Sequence, residues 1–132
     1  MSRARGMTLL AAALGFGSMA LADPTLECGL DLSSQVEIAD CMAATEARVD
    51  RTVAEALGFA MTAAQELDET TGRPMAAPAL EAGQAAWSGY RDAHCGFVGE
   101  TFGGGSGTGV AVRSCRIELG RERVGVLMGF SG

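Results

Sequence analysis

The chain has 132 residues and a formal net charge of −6, because 16 aspartates and glutamates outnumber 10 arginines. A chain of this length supports one domain with one modest core. Its acidic balance argues against nucleic acid and anionic membrane surfaces as partners, and it favours a cationic protein.

Residues 1–22 have the features of a secretory signal peptide. Arg3 and Arg5 precede an uncharged apolar run over residues 7–20, and an A-x-A cleavage motif follows. This run is too short and too rich in glycine to favour a membrane-spanning helix. We therefore expect a processed, periplasmic or secreted bacterial domain of residues 23–132, with no membrane segment after cleavage. Loss of Arg3 and Arg5 leaves eight basic residues against all 16 acidic ones, a net charge of −8.

All four cysteines lie in the exported part of the chain. An even count in an exported protein indicates disulfides, although four cysteines allow three pairings. We expect the local pairing, Cys28–Cys41 and Cys95–Cys115, because each pair flanks a segment that can fold back on itself. A metal site would need a tighter cluster, since the adjacent side chains of His94 and Cys95 diverge on a helix. We expect neither a metal nor another cofactor.

A long first helix is predicted from Ser34 to about Glu69. Ser34 and Glu37 fit a capping box, in which each side chain accepts a hydrogen bond from the other residue's backbone N–H. Gly72 suits the C-terminal cap. Residues 23–32 are expected to form a short lead-in. Apolar side chains recur on one face of the helix at spacings of three, four or seven residues: Ile38, Met42, Val49, Val53, Leu57, Ala60, Ala64 and Leu67.

A second helix is predicted over residues 78–98, with Pro78 in its first turn. It contains the stretch LEAGQAAWSGYRDAHC, which holds the only Trp, the only Tyr and the only His of the chain. Because aromatic residues make up only 5% of the chain, we expect Trp87 and Tyr90 to lie in the core. One helical face carries Leu80, Gln84, Trp87, Arg91 and His94.

Arg91 and Asp92 follow Trp87 directly. Neighbouring side chains point about 100° apart on a helix, so these two cannot simply pair with each other. Each is expected to bond to another element, in an interhelical network that stabilises the fold. Recognition of a partner is the alternative role.

The run from Gly99 to Gly109 is rich in glycine and is predicted to be a flexible connector. It lacks the glycine and lysine spacings of phosphate-binding loops. A third helix is predicted from Val110 to Phe130, in which Gly120 and two later glycines indicate either tight helix contact or a frayed end. The fold class is therefore all-α, with a long N-terminal helix packed on a helical hairpin and two disulfides.

The chain offers little for catalysis, and we predict that it is not an enzyme. Ser88 and His94 do not share a helical face, and no free cysteine remains once the disulfides form. Two acidic pairs, Glu46 with Asp50 and Glu118 with Glu122, are interpreted as solvated surface that could also receive a basic partner.

A resemblance to a known family lies in the second helix. Its pattern L-x3-Q-x2-W-x3-R-D-x2-C resembles the central signature of the LprI-like lysozyme inhibitor family, small exported bacterial domains mostly of unknown function. The opening Q-x-E-x3-C, the G-G-S loop and the closing C-x7-R-x3-L of that family also have counterparts. Those counterparts are Gln35, Glu37 and Cys41, then Gly104, Gly105 and Ser106, then Cys115, Arg123 and Leu127. The chain departs from the pattern D-x2-L-N-x2-Y, where it has Asp50, Val53, Ala54 and Leu57, and it has Gly120 where a threonine is common.

The resemblance implies an exported binding protein that inhibits a lysozyme or a related peptidoglycan-cleaving enzyme. The alternative is a non-inhibitory structural or accessory protein of the bacterial envelope. A glycosidase cleft presents two carboxyl groups, so an inhibitor needs hydroxyl or guanidinium donors, and we predict Arg73, Ser106 and Thr108 as partner-binding residues. The other family-motif residues are predicted to be structural: Gln84, Trp87, Arg91, Asp92 and Arg123. Charge favours a cationic lysozyme as the partner.

Overall fold

The computed structural model describes residues 23–131, and the predicted signal peptide lies outside them. This part of the chain forms four helices and no strand: α1 (Pro24–Gly29), α2 (Gln35–Thr71), α3 (Ala76–Glu100) and α4 (Thr108–Met128). The predicted all-α fold, with a long helix packed on a helical hairpin, is confirmed. None of the described helices combines the length and apolar character that a membrane crossing requires.

The limits of α2 follow from its caps. At Ser34, Oγ accepts a hydrogen bond from the N–H of Glu37 at 3.2 Å, and the Ser34 N–H donates to a carboxylate oxygen of Glu37 at 3.1 Å. This is the predicted capping box. At the other end, Gly72 adopts φ +64°, a left-handed conformation that stops the helix and favours glycine.

The predicted lead-in contains α1, a short helix that the sequence analysis did not identify. Asp23 caps it by accepting the N–H of Thr25 at 2.8 Å, and Pro24 occupies its first turn. A disulfide and an ion pair are among the contacts that attach α1 to the rest of the domain. Cys28 forms the predicted disulfide with Cys41, and Arg121 of α4 pairs with Glu27 at 2.8 Å.

The three longer helices lie side by side. The disulfide between Cys95 and Cys115 joins α3 to α4, and α2 packs along that hairpin. α2 and α4 run in the same direction and α3 runs against both. The turn of residues 72–75 defines the turn end of the domain. The loop of residues 101–107, together with α1, defines the loop end.

The core lies between α2 and α4. Its largest fully buried side chains include Met42, Ile117 and Leu127. A Cβ atom on Gly120 would clash with Cγ1 of Val49, so a glycine at this position permits the close approach of the two helices. Of the two interpretations of Gly120, a tight contact between α2 and α4 is therefore the correct one.

Tyr90, which is predicted to lie in the core, is exposed, and so are two apolar side chains at the turn end. Tyr90 is 53% exposed, and its ring stacks on that of His94 at the surface of α3, with centroids 5.3 Å apart. Leu67 is 54% exposed, and Phe130 is 66% exposed at the turn end. The apolar periodicity of α2 continues to the turn end, where an open groove separates α2 from the neighbouring helices.

Candidate functional site

The centre of the family motif is a contact between α3 and α4 around Trp87. The guanidinium carbons of Arg91 and Arg123 lie 5.4 Å and 5.7 Å from the centroid of the Trp87 ring. Nε of Arg123 also donates to Oε1 of Gln84 at 2.9 Å. Cations at this distance interact favourably with an aromatic face, so the half-buried indole links the two helices.

Arg91 connects all three long helices. It is only 6% exposed, and its Nε and a terminal nitrogen donate to the backbone carbonyl of Arg116 at 3.0 Å and 2.7 Å. The same terminal nitrogen lies 2.8 Å from a carboxylate oxygen of Asp50 on α2. A buried guanidinium needs such partners, because an unpaired charge in the interior is strongly unfavourable.

The network continues through Arg116. Its guanidinium bonds to Asp92 at 2.6 Å and to Glu46 at 2.7 Å. Arg113 binds the second oxygen of Glu46, also at 2.7 Å. Partial burial lowers the pKa of Arg116, but the hydrogen bonds that Arg116 donates to Glu46 and Asp92 outweigh this effect and raise the pKa above its usual value, which keeps the guanidinium charged. Asp92 therefore bonds to a neighbouring element and not to Arg91.

Glu46 is the residue of this network that the sequence analysis misread. It was interpreted as solvated surface, yet its side chain is only 14% exposed and bonds to two arginines. Asp50, its supposed like-charged neighbour, pairs with Arg91. The arginines lie 67 and 70 residues away from Glu46 along the chain, so no local pattern could have indicated them.

The glycine-rich connector is shorter than predicted, because α3 continues to Glu100 and α4 begins at Thr108. Gly103 and Gly104 adopt φ values of +60° and +77°, conformations that disfavour other residues. Ser106 is exposed at its tip. Within the described part, the backbone N–H groups of Gly104, Ser106 and Gly107 have no acceptor. In contrast, Oγ1 of Thr108 is buried and lacks a partner among the described residues.

Arg73 is exposed at the turn end, whereas Ser106 and Thr108 lie at the loop end. The 25 residues of α3 separate the two places. At 1.5 Å per residue this helix is about 37 Å long, so Arg73 and Ser106 cannot enter one enzyme cleft together. The structure therefore does not bring the predicted partner-binding residues into a single site.

The charges are distributed unevenly between surface and interior. Of the 16 carboxylates in the described part, 13 are exposed, but only three of its eight arginines are, namely Arg48, Arg51 and Arg73. Most arginines lie between helices in the contacts described above. The surface that a partner meets is therefore more acidic than the net charge suggests. Within residues 23–131, no group of three His, Cys, Asp or Glu side chains is arranged to hold a metal ion.

The family model described as lysozyme inhibitor LprI matches residues 28–127 of the chain. The chain belongs to this family. The matched segment of the LprI domain includes both disulfides, the Trp87 contact and the glycine-rich loop. Neither the curated proteins nor the solved structures gave a match to this chain.

Proposed function

We propose that this LprI domain is an exported binding protein, not an enzyme, that inhibits a lysozyme or a related peptidoglycan-cleaving enzyme through its loop end. Membership of the LprI family supports an inhibitory role. The observation that carries the proposed surface is a pair of exposed residues in the loop of residues 101–107, Gly104 and Ser106, whose N–H groups have no acceptor among the described residues.

These donors match the chemistry of a glycosidase cleft. Such a cleft presents two carboxyl groups, which accept hydrogen bonds. Ser106 offers its hydroxyl at an exposed position, and the N–H groups of the exposed residues Gly104 and Ser106 have no acceptor within residues 23–131. We assign the contact to Ser106 and these backbone groups rather than to Thr108, whose hydroxyl is buried.

The position of the loop is set by the elements beneath it. The disulfide between Cys95 and Cys115 joins the helices on both sides of the loop, and Phe102 packs over Gly107. A loop held in this way loses less conformational entropy when it binds. The motif residues are proposed to maintain the α3–α4 pairing below it: Gln84, Trp87, Arg91, Asp92 and Arg123.

Charge contributes mainly to the rate of encounter. A surface with 13 exposed carboxylates and three exposed arginines attracts a cationic lysozyme at long range. Such steering raises the association rate more than the final affinity, and added salt screens it. We therefore expect inhibition to weaken as the salt concentration rises.

The test is the residual muramidase activity of a cationic lysozyme titrated with the oxidised protein recovered from the periplasm. We expect saturable inhibition near equimolar ratio and an N-terminus at Asp23. Ser106→Glu places a carboxylate against those of the cleft and should weaken inhibition at least about ten-fold, roughly 1.4 kcal/mol. Ser88→Glu is the matched control, since it makes the same change at an exposed position on α3.

Three outcomes would contradict the proposal in different ways. Equal loss in Ser106→Glu and Ser88→Glu would mean that overall charge, not the loop, decides inhibition. A loss in Arg73→Ala with none in Ser106→Glu would move the contact to the turn end. No inhibition of any lysozyme at large molar excess would favour the alternative, a non-inhibitory accessory protein of the envelope.

A further inference from the structure

The turn end of the domain carries an open apolar groove that the proposed inhibitory contact does not use. It has a volume of about 300 Å³ and lies between α2 and α3, beside the end of α4. Its floor is formed by small side chains, and its edges by Leu67 and Phe130, which are 54% and 66% exposed. The residues that form it include Ala60, Ala63, Ala64, Leu67, Leu80 and Phe130.

A second hollow continues the groove around the turn. The two share Leu67 and Ala76, and the second is bordered by Met75, which is 64% exposed. Along α2 the combined surface runs from Ala60 to Thr71, about 16 Å at 1.5 Å per residue. That length matches about three turns of a partner helix, enough for apolar anchors at positions i, i+4 and i+7.

Carboxylates accompany the apolar surface on both helices. Glu66 is exposed one residue before Leu67, and Glu81 is exposed one residue after Leu80. Asp68 and Arg73 both line the second hollow. Hydrogen bonds from backbone N–H groups, that of Ala76 foremost, lower the pKa of Asp68 and keep it charged. Arg73 is outnumbered by Glu66, Asp68 and Glu81, so the surroundings of the groove are acidic on balance.

We propose that this groove binds a cationic amphipathic helix, whose apolar side chains fill the groove while its lysines or arginines meet the surrounding carboxylates. Charge complementarity selects this occupant. A second copy of the chain would bring two acidic ends together, and an anionic lipid surface would be repelled. The groove lies at the opposite end of α3 from Ser106, so this site is independent of lysozyme inhibition.

The test uses calorimetry with a synthetic Leu/Lys peptide of about 14 residues, with leucines on one helical face. We expect one peptide to bind per domain, more weakly as salt is added. Leu67→Glu should weaken binding at least about ten-fold, although it makes the protein more acidic, because it removes an apolar edge of the groove. The matched control is Leu30→Glu, a 73% exposed leucine at the loop end, which should bind normally.

A second pair of measurements separates the apolar and the charged contributions. Glu66→Gln combined with Glu81→Gln should reduce the salt dependence of binding. A peptide of the same composition with its leucines scattered around the helix should bind at least about ten-fold more weakly.

Three results would overturn the proposal. Unchanged or tighter binding by Leu67→Glu would mean that charge alone attracts the peptide. Equal binding of the peptide with scattered leucines would mean that the apolar groove does not contribute to binding. Sedimentation that shows a dimer broken by Leu67→Glu and not by Leu30→Glu would assign the groove to a second copy of the chain. Loss of lysozyme inhibition in the Ser106 variant leaves this test unaffected.

Discussion

At the loop end, disulfides and buried arginine contacts join the helices, whereas at the turn end α2 and α3 meet over alanine side chains. The half of the domain nearer the loop end, here called the loop half, contains both disulfides, the ion pairs of Glu46 and the buried guanidinium of Arg91. The turn end contains Ala60, Ala63 and Ala64, with an open groove beside them. Both ends belong to the same long helices, so the difference arises from side chains and not from the backbone.

This difference separates two uses of apolar and charged residues. In the loop half, large side chains and arginines are removed from water and stabilise the helix packing. At the turn end, apolar side chains such as Leu67 and Met75 remain in water and border an open groove. Leu30 and Phe97 are exposed toward the loop end as well. Substitutions of the buried residues in the loop half are therefore expected to change stability, and those of exposed residues, at Ser106 or at the turn-end groove, to change binding.

The largest difference in stability is expected between variants of two arginines. Arg91→Met removes the donors to the Arg116 carbonyl and to Asp50, and it should lower the free energy of unfolding by about 3 kcal/mol. Arg73→Met at the turn end, where the side chain is exposed, should change it by less than about 0.5 kcal/mol. Urea unfolding of the oxidised proteins measures both values. A similar decrease in the free energy of unfolding for both variants would contradict the proposed difference between the two ends.

A smaller contrast is expected between two helical glycines. Gly120→Ala places a methyl group against Val49 and should destabilise the domain by about 1–3 kcal/mol. Gly58→Ala meets no atom within 4 Å, so the gain in helix propensity should stabilise the domain by up to about 1 kcal/mol. Thermal unfolding shows directly whether each substitution raises or lowers the melting temperature. Val49→Ala should recover part of the loss in the Gly120 variant, and a failure to recover it would argue against the helix contact as its cause.

The helix positions could be predicted because their signals are local. The capping box at Ser34 and the glycine at position 72 fixed the limits of α2 to within a few residues. The disulfide pairing followed from short sequence separations of 13 and 20 residues. The six-residue helix α1 was missed because so short a segment shows no periodicity, although Asp23 and Pro24 are a helix-start signal.

The depth of burial and the network around Arg91 could not be predicted in full, because both depend on where the helices cross. Periodicity identifies the inward face of α2 but not where its neighbours end, so it includes Leu67, whose side chain is 54% exposed. Glu46 gave no signal, since its arginine partners are distant in sequence. The separation of Arg73 from Ser106 required the antiparallel arrangement of α2 and α3 and the length of α3.

The smallest expected effect concerns the turn itself, where Asp68 accepts the N–H groups of Met75, Ala76 and Ala77. The Ala76 bond, followed by the others, lowers the pKa of Asp68 below its ordinary value of 3.8. Its stabilising contribution is therefore complete above pH 3.8 and is lost as the pH falls through the lower folded value. Asp68→Asn should lower the melting temperature at neutral pH, and the difference from the parent should shrink below pH 3.8. Glu69→Gln removes one charge from the same turn without touching these bonds; an equal pH-dependent difference there would attribute the effect to net charge.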